Sequence, residues 1–93
     1  MTVGYLRLHL LIPNSLSLKD KRKVVQSLKA RLRNAFNISV VECANNLWND
    51  TELWIAGVSQ TREGFNNMIH QILQMIDNDG RAQIIEHECE FIY

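Results

Sequence analysis

The chain has 93 residues, 46% of them hydrophobic, with ten basic and ten acidic side chains and no net charge. That length makes one domain, residues 1–93, with a modest core of the kind that gains from oligomerisation. One Pro and four Gly exclude a disordered composition, and the longest apolar stretch, Leu6 to Ile12, is too short to span a bilayer.

The first predicted element is a strand from Val3 to Ile12. Leu6, Leu8, Leu10 and Ile12 share one face, and Tyr5, Arg7, His9 and Leu11 share the other. Pro13-Asn14-Ser15 ends it. A helix then begins, with Ser17 as its cap and Asp20 in its first turn, where a carboxylate suits the positive helix end. Val24, Val25, Leu28, Leu32, Ala35 and Phe36 make its buried stripe, and Asn37 is read as its left-handed stop.

Ile38 to Ala44 and Leu53 to Ser59 are predicted as a strand pair joined across Asn45-Asn46-Leu47-Trp48-Asn49-Asp50. A second amphipathic helix runs from Arg62 to Asn78 and is closed by Asp79-Gly80. The last strand, Ala82 to Ile92, alternates Glu86, Glu88 and Glu90 against Ile85, His87, Cys89 and Phe91. The order strand, helix, strand, strand, helix, strand predicts an α+β ferredoxin-like βαββαβ sandwich. Its four-stranded antiparallel sheet would carry both helices on one face.

Charge is divided sharply along this order. Residues 1–33 hold eight basic side chains against Asp20 alone, and residues 34–93 hold Arg62 and Arg81 against nine carboxylates. On a helical wheel Lys19, Arg22, Lys23, Gln26, Lys29 and Arg33 share one side of the first helix, while Lys21 and Arg31 flank its apolar stripe. A solvated helix usually mixes both signs. An unpaired basic face is a phosphate-binding pattern, so Lys19, Lys21, Arg22, Lys23, Lys29 and Arg33 are the candidate nucleic-acid contacts, with structured RNA as the expected partner. A merely solvated face explains the same residues.

The open sheet face is a weaker candidate. It would hold Tyr5 and Arg7, but Glu86, Glu88 and Glu90 beside them repel phosphate. Arg7 is expected to pair across to one of these carboxylates. Leu11, Ile84 and Ile92 would add apolar area there, which favours a homo-oligomer through that face.

No residue is assigned to catalysis. Cys43 and Cys89 form no Cys-x-x-Cys pair and are expected to be reduced and buried. His87-x-Cys89 lacks further ligands at metal spacing, so no metal and no cofactor is expected. Trp48 and Trp54 are read as core or interface anchors. No small-residue cleavage site follows the first apolar stretch, so a cytoplasmic, non-membrane protein is expected.

Ser17-Leu18-Lys19-Asp20-Lys21-Arg22, followed by Val24-Val25, Leu28, Leu32, Glu42, Leu47-Trp48 and the Leu53 to Ser59 strand, resembles the YlxP-like family of small bacterial proteins. The resemblance covers nearly the whole chain and implies a ferredoxin-like fold. Genes of that family often neighbour those for translation initiation and ribosome maturation factors. The resemblance therefore implies a ribosome-linked role by association, within a family of unknown function. Carried over residue by residue, the signature implies Lys19, Lys21 and Arg22 as site residues and Ser17 as the helix cap. The family pattern places an Asp before the Leu-Trp pair, where this chain has Asn46.

Overall fold

Strict alternation sets the first strand. Leu6, Leu8 and Leu10 are fully buried, and the odd-numbered residues between them are half-exposed. The computed structural model describes all 93 residues. In it, β1 (Thr2–Leu11), α1 (Leu18–Ala35), β2 (Ile38–Cys43), β3 (Asp50–Ser59), α2 (Arg62–Asp79) and β4 (Gln83–Phe91) follow in that order. The four strands form one antiparallel sheet in the order β2-β3-β1-β4, so the fold is the ferredoxin-like α+β sandwich.

Both helices seal the same sheet face. Val25, Leu28 and Leu32 from α1 and Phe65, Ile69, Ile72 and Ile76 from α2 join Leu6, Leu8, Leu10, Leu53 and Ile55 in one core cluster. Burial of these side chains contributes roughly 1.5–3 kcal/mol each against chain entropy. No helix is long and apolar enough to cross a membrane.

The helix ends follow capping chemistry. The Ser17 hydroxyl accepts the Asp20 N–H at 3.1 Å, and the Asp20 carboxylate accepts the Leu16 N–H at 3.1 Å. Thr61 caps α2 through the Gly64 N–H at 2.9 Å, and Gly80 closes it with φ of 80°. The end of α1 differs from the expectation. Phe36 is its cap, in extended conformation, and Asn37 is not left-handed, since no residue but Gly80 has positive φ. Docking of Phe36 against the core turns the chain there, without an Asx stop.

Two further expectations are corrected. β3 begins at Asp50, three residues early, because β1 supplies a partner for it as far as Leu11. In β4 the register against β1 slips, with His9 opposite Glu86 and Leu10 opposite Ile84. The extra residue, Ile85, is a bulge and is exposed, whereas Ile84 packs against the core. Ile84 therefore adds nothing to the open sheet face.

Candidate nucleic-acid interface

The exposed side of α1 is built from helical spacing alone. Lys19, Arg22, Lys23, Gln26 and Arg33 are exposed and Lys29 is half-exposed. From 19 to 33 this stripe runs about 21 Å at 1.5 Å per residue. The ion pairs of the chain draw their basic partners from Arg7, His9, Arg31 and Arg81. Lys19, Arg22, Lys23 and Lys29 have none. The fifth cation, Arg33, donates from Nη2 to the Val40 carbonyl at 3.0 Å, which leaves its charge without a carboxylate.

Arg31 is committed to the fold instead. It pairs with Asp79 at the end of α2, and Arg81 grips the same carboxylate from Nε at 2.7 Å and Nη2 at 2.8 Å. Arg81 also reaches Ser27 on α1 at 2.9 Å. The Arg81 guanidinium holds the Asp79 carboxyl below the usual carboxylate range, although burial opposes it.

Lys21 corrects the sequence reading. It does not stand at the rim of the basic face: only 3% of it is exposed. Its ammonium donates to the Asn45 side-chain oxygen at 3.0 Å, to the Asn45 carbonyl at 3.2 Å and to the Asp50 carbonyl at 3.1 Å. Three N–H groups meet three acceptors, so the buried charge is fully hydrogen-bonded and has no donor left for phosphate. A signal was present in the spacing, because 21, 25, 28 and 32 are the positions that α1 buries. Charge alone had set Lys21 apart from that stripe.

The segment that Lys21 grips is the turn between β2 and β3. Asn45 Oδ1 also accepts the Leu47 N–H at 2.9 Å, an Asx turn. Ser15 Oγ donates to the Trp48 carbonyl at 2.5 Å, and the Ile12 N–H to the Asn49 carbonyl at 2.7 Å. His9 Nε2 lies 2.5 Å from Asp50 Oδ2. The turn is thus fastened to both β1 and α1.

Between this turn and the first turns of α1 lies a cavity of about 210 Å³, lined by Leu18, Lys21, Arg22, Glu42, Ala44, Asn45 and Asn46. Glu42 comes from the end of β2 and accepts the Thr51 hydroxyl on Oε2 at 2.7 Å. It has no ion pair. Residues that carry the family resemblance, Leu18, Lys21, Arg22 and Glu42, converge here from two elements. Their spacing in sequence gave no sign of that meeting.

The open sheet face has the opposite charge. Arg7 sits among Glu52 at 2.8 Å, Glu88 at 3.2 Å and Glu86 at 3.3 Å, as the cross-strand reading expects. Tyr5 donates to Glu90 at 2.6 Å and stacks on Trp54 with ring centres 5.1 Å apart. The Glu90 hydrogen bond, then partial burial, push the Tyr5 phenol up to about 12. Arg7 holds the Glu52 carboxyl below its usual range. Four carboxylates, Glu52, Glu86, Glu88 and Glu90, against one guanidinium leave this face negative.

The cysteines differ from expectation, and of the two readings of the tryptophans the core one is overturned. Cys43 and Cys89 are exposed, because they lie on the two edge strands. Trp48 and Trp54 are partly exposed and belong to the turn and the open sheet face, outside the core.

Residues 3–89 match the sequence profile of a family described as "Protein of unknown function (DUF503)". The chain is also 31% identical over 77 residues to the Bacillus subtilis (strain 168) "Uncharacterized protein YlxP", a match covering 82% of this chain and 84% of that protein.

Proposed function

The chain belongs to DUF503, a family of unknown function, and within it we propose a non-enzymatic, cytoplasmic protein whose α1 holds structured RNA by its phosphates. The observation that carries this reading is the stripe of Lys19, Arg22, Lys23 and Lys29, four cations without a carboxylate partner on one side of one helix. Like charges crowded in this way repel one another, and a polyphosphate relieves that repulsion by releasing its own counterions. Arg33 lengthens the stripe at its far end.

The chemistry of α1 narrows the RNA class. No aromatic side chain lies between Leu18 and Ala35, so the helix offers unpaired bases no aromatic platform along its length. It suits the backbone of a folded RNA, recognised by shape and charge. The negative sheet face orients the protein, since phosphate is repelled from Glu52, Glu86, Glu88 and Glu90.

Filter binding to a folded ribosomal RNA fragment tests the reading. With four phosphates neutralised, log affinity falls against log salt with a slope between about −3 and −4. Reversing Lys19, Arg22 and Lys23 to Glu abolishes binding. Undiminished binding by that variant removes α1 as the surface.

A second reading rests on Val41, 64% exposed and opposite the 40% exposed Trp54, with exposed Val58 four positions further along the same face of β3. A second copy packed there buries apolar surface while the glutamates of β4 stay at the rim. Light scattering decides: a monomer mass at high concentration excludes it.

A further inference from the structure

We propose that the cavity between α1 and the β2–β3 turn takes one unpaired guanine base of the RNA that α1 holds, an assignment that rests on the reading above. Three properties of the cavity carry it.

The first is a mismatched pair of charges. Arg22 and Glu42 line the same cavity, and neither forms an ion pair with the other or with any residue. A ligand that satisfies both must present an anion and N–H donors at separate places. A nucleotide does so: its phosphate is the anion, and its base carries the donors.

The second is size. About 210 Å³ lies below the range of roughly 300–1,000 Å³ for drug-sized ligands. That is room for a base and not for its sugar and phosphate, which stay outside the mouth. Arg22 belongs both to this lining and to the exposed stripe on which Lys19 and Lys23 lie. The backbone of a bound RNA therefore passes the entrance.

The third is the pattern of polar atoms. The Thr51 hydroxyl takes one acceptor site on Glu42 Oε2, which leaves Oε1 and the second lone pair of Oε2 to accept a pair of donors. Guanine offers N1–H and its exocyclic amino group side by side, the pattern a carboxylate accepts; adenine, cytosine and uracil each offer one such donor on the Watson–Crick edge. Asn46 lines the cavity with a side-chain amide that can donate to the guanine carbonyl. Leu18 and Ala44 give apolar contact to the base plane. Lys21, with all its N–H groups engaged, fixes the turn that carries Asn45 and Asn46.

The test uses the full chain and short RNA duplexes, either blunt or with a single bulged G, A, C or U. The bulged-G duplex binds about tenfold tighter than the blunt one, and the other bulges bind like the blunt one. In Glu42→Gln the amide still accepts the Thr51 hydroxyl but opposes the guanine donors, so the ratio of bulged-G to blunt affinity falls to about one. An unchanged thermal midpoint in that variant shows that the fold is intact. Equal affinity of the wild type for all duplexes overturns the guanine site and leaves the α1 reading standing. A G preference that survives Glu42→Gln overturns it equally. Failure of every duplex to bind overturns both. Free guanosine monophosphate that shifts the Asn46 amide resonances, with no preference among the duplexes, overturns the assignment to RNA.

Discussion

Lys21 and Asn45 lie 24 positions apart and are joined twice, the lysine ammonium donating to the Asn45 side-chain oxygen at 3.0 Å and to its carbonyl at 3.2 Å. The contact ties the family-signature turn of α1 to the β2–β3 turn. It makes a basic residue of the signature a structural clamp.

Replacing that clamp is costly. Lys21→Met keeps the volume but removes the ammonium from the Asn45 and Asp50 carbonyls and leaves Asn45 Oδ1 with the Leu47 N–H alone. Stability falls by about 2–3 kcal/mol, because three hydrogen bonds from a buried ammonium are lost together. For a domain of this size the thermal midpoint drops by roughly 10–20 °C. Calorimetry checks this, and a midpoint within about 3 °C of wild type contradicts the clamp.

Two glycines on the core side of the sheet separate by what their neighbours can yield. A Cβ on Gly4 would stand 2.7 Å from Phe65 Cζ and 2.8 Å from the Glu90 carbonyl oxygen. Phe65 is buried and the carbonyl belongs to the β4 backbone, so neither moves cheaply. Gly4→Ala therefore destabilises by about 2–3 kcal/mol. At Gly57 the closest atom is the flexible end of Met68, at 2.9 Å, and Gly57→Ala costs under about 1 kcal/mol. Urea unfolding of both variants gives the comparison, and equal losses contradict it.

Alkaline titration reads the sheet face. Tyr5 ionises near 12, against an ordinary value of 10.0, because Glu90 holds the phenol protonated. The folded state keeps this proton more tightly than the unfolded state, so the contribution is complete below about pH 10. It is lost as pH rises from there through about 12. Ultraviolet titration shows one late phenol, and Glu90→Gln returns it toward the ordinary value.

Acid acts through Asp79. Its carboxyl is held low, chiefly by Arg81, so its contribution is present above the unfolded value near 4 and disappears as pH falls through the lower folded value. The side chain of Asp79 is 2% exposed, but those of Arg31 and Arg81 are 51% and 40% exposed, which weakens the pairs. Asp79→Asn lowers stability at neutral pH by about 1–2 kcal/mol. The gap between variant and wild type narrows below about pH 4, measured by denaturant unfolding across pH. A gap independent of pH contradicts the assignment.

The sequence by itself determined the fold, because each element declares its period. The leucines of β1 alternate, Val25, Leu28 and Leu32 recur at helical spacing, and Ser17 and Gly80 mark helix ends. These are local features, fixed by residues within a turn or two of each other. It also placed Lys19, Arg22, Lys23 and Lys29 on one helix side, for the same reason. What only the tertiary structure decided is which charges remain free. Lys21 is consumed by Asn45 and Asp50, Arg31 by Asp79, and Arg7 by Glu52, Glu86 and Glu88. The bulge at Ile85, the exposure of Cys43 and Cys89, and the meeting of Arg22 with Glu42 around one cavity were likewise illegible. Each depends on partners 20 or more positions away or on which strand forms an edge, and neither periodicity nor composition encodes contacts at that range.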